Sequence, residues 1–77
     1  MTWNVQYTRT FLKEMSRLPI DVRKRVEAIA FGDAIKQDPF LAGKTQKLTG
    51  YQTYYKIRVG DYRIGLHIDI SQQQVEF

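Results

Sequence analysis

At 77 residues the chain has the size of one small domain with a single hydrophobic core. It contains no cysteine and one histidine, which excludes disulfides and thiolate metal sites and argues against a protein-only zinc site. A net charge of +4 and a pI near 9.6 favour nucleic acid or an acidic protein as partner, and with no membrane-spanning apolar run and no signal-peptide pattern a cytoplasmic location is expected.

Trp3, Val5 and Tyr7 alternate with polar residues, which predicts a short first strand. Thr8 or Thr10 can cap a helix. Its apolar residues Phe11, Leu12, Met15 and Leu18 recur at helical spacing until Pro19 stops it. A second helix is expected to begin within residues 19–21, with Val22, Val26, Ile29 and Ala30 as its buried stripe and Arg23, Lys24 and Glu27 outside. It should end at Gln37, Asp38 and Pro39, because the residue before a proline avoids the α region. Gly32 lies inside this helix and weakens its continuity by about 1 kcal/mol. Residues 40–46 read as loop, and Leu48 as the opening of a strand or a loop anchor.

The segment from Tyr54 to His67 is the most informative. Gly60 and Asp61 suit a two-residue type II′ turn, in which the first central position requires positive φ. The pairing then follows. Val59 faces Tyr62, Ile57 faces Ile64 and Tyr55 faces Leu66 on one apolar side. On the other side Arg58 faces Arg63, Lys56 faces Gly65, and Tyr54 faces His67. Two arginines directly opposite each other repel, at roughly 0.2–1 kcal/mol. Exposed strand faces often carry cations simply to discourage edge pairing. An anion such as phosphate would relieve the repulsion here, and Gly65 leaves a gap without a side chain for it.

Between Lys44 and Arg63 there are five cations and one acid, Asp61, with Tyr51, Tyr54, Tyr55 and Tyr62 among them. Cations for phosphates and rings for bases suit RNA, although parity sends Tyr55 and Tyr62 to the core. Lys44, Lys47, Tyr54 and His67 are the candidate RNA contacts around Lys56, Arg58 and Arg63. The second hairpin strand is expected to run to Ile70, residues 71–74 to turn, and Val75, Glu76 and Phe77 to begin a last strand. The first strand is expected to pair with the edge strand at residues 54–59. The order β-α-α-β-β-β, with two helices over an antiparallel sheet, is an α+β fold spanning residues 1–77 as one domain.

Several strings now match a known family. They are Tyr7-Thr8, Ser16-Arg17-Leu18-Pro19, Val22-Arg23-Lys24-Arg25-Val26, Ala42-Gly43-Lys44, Leu48-Thr49-Gly50 and, above all, Tyr55-Lys56-Ile57-Arg58-Val59-Gly60-Asp61-Tyr62-Arg63-Ile64. The chain resembles the RelE/ParE toxin superfamily, in particular its RelE-like ribonuclease branch. The resemblance implies a type II toxin that cleaves mRNA in the ribosome and is neutralised by a cognate antitoxin, with no metal or cofactor. The family's catalytic cations match Lys56, Arg58 and Arg63, which would hold phosphates and stabilise charge as a ribose 2′-hydroxyl attacks. Lys56 is also a candidate base.

RelE-like toxins usually continue past the last strand with another catalytic arginine, an aromatic or histidine residue and a short helix. Those roles match nothing in this sequence, and His67 does not occupy the family's C-terminal site. The 77-residue form is therefore expected to be a weakened nuclease, with sheet surface left exposed and a tendency to self-associate. The alternatives are a ParE-like gyrase poison, which needs no cationic triplet, and a domain that only binds its antitoxin.

Overall fold

A computed structural model describing residues 2–50 and 52–77 shows β1 (Asn4–Gln6), α1 (Arg9–Ser16), α2 (Ile20–Ala30), α3 (Asp33–Gln37), β2 (Thr45–Lys47), β3 (Tyr54–Val59), β4 (Tyr62–Asp69) and β5 (Gln74–Glu76). Thr8 caps α1: its hydroxyl accepts from the Phe11 N–H at 3.1 Å, satisfying one of the free donors of the first turn. Pro19 then separates α1 from α2, with φ −54° and ψ 146° at the entry to the second helix.

The single helix expected to run on to residue 37 is two helices. Gly32 opens α3 with ψ 172°, and a Cβ there would collide with the carbonyl of Ala28. The break therefore needs a residue without a side chain.

The sheet order is β1-β5-β4-β3-β2, antiparallel except for the parallel β1–β5 pair. The first strand thus does not join residues 54–59. The end of the expected loop, residues 45 and 46, forms β2 together with Lys47 and takes that edge, with Thr45 opposite Ile57 and Lys47 opposite Tyr55. β1 instead pairs with β5, Val5 opposite Val75. Leu48 follows β2, and its N–H donates to the Tyr54 carbonyl at 2.9 Å. β4 stops at Asp69, one residue short of the expected Ile70.

The hairpin register is the expected one at all six pairs. Gly60 has φ +60° and Asp61 is not in the positive-φ region, which fits the type II′ turn. Ile57, Val59, Ile64, Leu66, Ile68 and Val75 share the buried side of the sheet and pack against Met15, Val26, Ala30 and Ile35 of the helices. Tyr62 lies on this side by register but at the margin, 41% exposed. Leu12, expected in the buried stripe, is 42% exposed. Of its helix only Met15 is fully covered, with Phe11 partly so.

Phe77 is held at both backbone groups. Its N–H donates to Gln6 at 2.9 Å, and its carbonyl accepts from the Thr8 N–H at 2.8 Å. Its ring is 5% exposed and stacks on Tyr7 with 5.8 Å between centroids. Phe77 itself is therefore covered. The open part of the sheet is the stretch of β4 beyond its pairing with β5, which covers residues 67–69 alone.

Candidate nucleic-acid interface

Strand alternation sends one set of side chains away from the helices. Across β4, β3 and β2 these fall in rows set by the register. Arg63 faces Arg58 beside the turn. Gly65 faces Lys56, which faces Gln46. His67 lies between Glu76 on β5 and Tyr54 on β3, and Asp69 faces Gln74. Arg58 and Arg63 are exposed and Lys56 is half-buried. Among the described residues no carboxylate lies within ion-pair distance of these three cations. A Cβ built on Gly65 meets no other atom within 4 Å, so the floor between Lys56, Arg63 and His67 is open.

The turn is gripped from two sides. The Arg58 Nε–H donates to the Gly60 carbonyl at 3.0 Å, which ties that side chain to its own turn. Arg25 of α2 brings Nη1 to 3.5 Å from the place a Gly60 Cβ would take. Arg25 thereby adds a further cation beside the turn. Sequence reasoning gave Arg25 no place in the site, because this approach joins residues 35 apart and leaves no local signal.

The candidate RNA contacts divide. Tyr54 and His67 belong to the open face, and their rings meet edge-on with 5.2 Å between centroids. Tyr54 is 49% exposed and presents ring surface beside Lys56. Lys47 shares the side of Tyr55, opposite to Lys56, because the β2 register alternates away from Gln46. Lys44 precedes β2 and borders, with Arg58, Asp38 and Ile57, a groove of about 560 Å³ at the sheet edge. Tyr51 lies outside the described residues.

The acidic end of the face is ordered by a turn. Asp69 accepts from the Ser71 hydroxyl at 2.8 Å and the Gln72 N–H at 3.1 Å. These bonds, the Ser71 one foremost, hold its carboxyl below the usual range, and the charge of His67 adds to the effect. On the helix side, burial pushes the Tyr7 hydroxyl up, and that hydroxyl donates to the Ala30 carbonyl at 2.6 Å. Among the described residues no helix is long and apolar enough to cross a membrane.

No protein-family model matches the chain. It is 34% identical over 73 residues to toxin RelE3 of Methanocaldococcus jannaschii, a match covering 84% of this chain and 75% of that protein. The chain belongs to the RelE toxin family. Solved structures agree. The toxin–antitoxin complex RelBE2 of Mycobacterium tuberculosis matches with a TM-score of 0.79 and 25% identity, over 99% of this chain and 91% of that one. The RelB–RelE antitoxin–toxin complex of Methanococcus jannaschii matches with a TM-score of 0.75 and 31% identity, over 94% and 83%. The α+β architecture expected from the hairpin and helices is that of these toxins.

Proposed function

We propose that this RelE-family chain is the toxin of a type II toxin–antitoxin system and cleaves ribosome-bound mRNA at the open face of its sheet. The observation that carries the reading is the trio Lys56, Arg58 and Arg63 around the bare floor at Gly65, on a side no helix covers and with no carboxylate within ion-pair distance among the described residues. Structural stability gains nothing from the opposed arginines, whereas a phosphodiester would neutralise them. Attack of a ribose 2′-hydroxyl on phosphorus builds negative charge on the phosphoryl oxygens. Fixed cations stabilise that charge more than they stabilise the starting phosphodiester. The half-exposed Tyr54 ring offers a stacking surface for a neighbouring base.

The solved relatives in complex with RelB support a small cognate antitoxin as partner. A +4 domain attracts an acidic, partly disordered chain that orders on binding. The test is cleavage of a reporter mRNA in a purified translation system, comparing this chain with its Lys56→Ala/Arg58→Ala/Arg63→Ala variant. Cut mRNA from the first and intact mRNA from the second is the expected result. Double-strand breaks in DNA with intact mRNA would make the protein a gyrase poison. Neither kind of cleavage, with antitoxin binding retained, would leave a binding domain.

A further inference from the structure

The open face changes sign along its length. Lys56, Arg58 and Arg63 occupy the end beside the β3–β4 turn, while Asp69 and Glu76 occupy the far end. His67 stands on the border. Along β4 it is the next same-side residue after Gly65, about 7 Å away, and it is diagonal to Lys56 at about 7–8 Å. Its ring is held edge-on by Tyr54 at 5.2 Å between centroids. The side chain is half-buried, and among the described residues neither Glu76 nor Asp69 comes within ion-pair distance of the imidazole. An imidazole oriented by packing, yet not consumed by an ion pair, keeps its N–H available to a ligand above the sheet.

We infer that His67 donates the proton to the leaving 5′-oxygen when RNA is cleaved with its phosphate over Gly65. The inference rests on the nuclease reading above. Its place in the register supports the role: Glu76 on β5 and Asp69 on β4 lie on the side of His67 away from the cations, while Gly65 and, on the diagonal, Lys56 lie on the side where the phosphate would sit.

The reaction then balances. The 2′-oxygen forms a bond to phosphorus as its proton passes to solvent water. The bond from phosphorus to the 5′-oxygen breaks, and that oxygen takes the imidazolium proton. The products are a 2′,3′-cyclic phosphate and a 5′-hydroxyl, and the neutral imidazole regains its proton from water. Lys56 and Arg63 offset charge on the phosphoryl oxygens throughout.

The test is single-turnover cleavage of ribosome-bound mRNA by the wild-type chain, His67→Gln and His67→Ala. One substrate is ordinary RNA, and the other carries sulfur in place of the bridging 5′-oxygen at the cleaved bond. A thiolate departs without needing a proton, so it bypasses a missing acid. Both variants should lose about 10²-fold or more on ordinary RNA and remain within about 3-fold of wild type on the sulfur substrate. An equal loss on both substrates would make His67 a binding or structural residue and overturn the inference, as would unchanged cleavage of ordinary RNA. If the wild-type chain cut neither substrate, the nuclease reading itself would fail and the inference with it.

Discussion

Lys56 stands directly across the strand ladder from Gly65, so that an ammonium group faces bare backbone. This pairing gives the open face a depression rimmed by charge, and it separates two properties that usually change together. Valine suits a strand better than glycine, on a scale of about 1 kcal/mol, and here a Cβ meets nothing within 4 Å. Gly65→Val should therefore fold at least as stably as wild type while losing about 10²-fold in RNA cleavage through displacement of the phosphate. Thermal unfolding and the mRNA assay, run on the same preparation, check this. Undiminished cleavage would show that the phosphate does not sit there.

Arg63 faces Arg58, and among the described residues no carboxylate lies within ion-pair distance of either. Arg63→Ala removes the repulsion but leaves the Arg58 bond to Gly60 in place. Its stability in urea should rise by roughly 0.2–1 kcal/mol. RNA binding should move the opposite way, with the slope of log affinity against log salt becoming shallower by about 0.7 if one single-strand phosphate contact is lost. A less stable variant, or an unchanged slope, would count against a cation placed for RNA.

Asp69 supplies a pH-dependent contribution. Its folded pKa lies below the ordinary carboxyl value, chiefly through the Ser71 hydroxyl and the Gln72 N–H. The stabilisation is thus fully present above the unfolded value near 3.9 and disappears as pH falls through the lower folded value. Wild type should exceed Asp69→Ala in stability at pH 6, and the gap should shrink steadily once the pH drops below about 4. Chemical unfolding at a series of pH values measures it. A gap independent of pH would trace the effect to packing instead.

Phe77 packs its ring against Tyr7 and Phe11 while its backbone bridges Gln6 and Thr8. Truncating a buried phenylalanine costs about 3–5 kcal/mol, which is comparable to the whole stability a core of this size supplies. Phe77→Ala should therefore be largely unfolded at 25 °C, seen as loss of near-UV circular dichroism and of amide dispersion. A cooperative transition near the wild-type midpoint would mean that the aromatic cluster is dispensable.

The hairpin was fully legible from sequence because a two-residue turn fixes register, and register fixes which side each residue takes. Hence Lys56, Arg58 and Arg63 fall together in the structure as parity places them. The β1–β5 pairing was not legible, since no turn links those strands and a parallel partner carries no local mark. β2 has three residues, too few for an alternation to stand out from loop. Lys47 was read as one more cation of the patch. A single step of alternation in that short strand gives it to the other side. Gly32 weakened the helix on propensity grounds, but the cause of the break is steric, through Ala28.

Val5 and Val75 are register partners 70 positions apart, so the first and last strands of the sheet lie side by side. Synthesis makes the first of them long before the second. β1 can find its neighbour only after residues 74–76 have left the exit tunnel, and until then Trp3, Val5 and Tyr7 lack the sheet they pack on. Non-local closure of this kind is also slow, because the entropy of a long loop is lost before its contacts form. Ribosomes stalled at successive codons should carry protease-sensitive chains until residue 77 has emerged, with resistance gained in one late step. Resistance acquired once the β3–β4 hairpin emerges would show that the first strand is not the last piece to dock. For a protein of this family, late closure would separate the making of the chain from the making of a working fold, and leave an interval in which a partner meets an unfinished sheet.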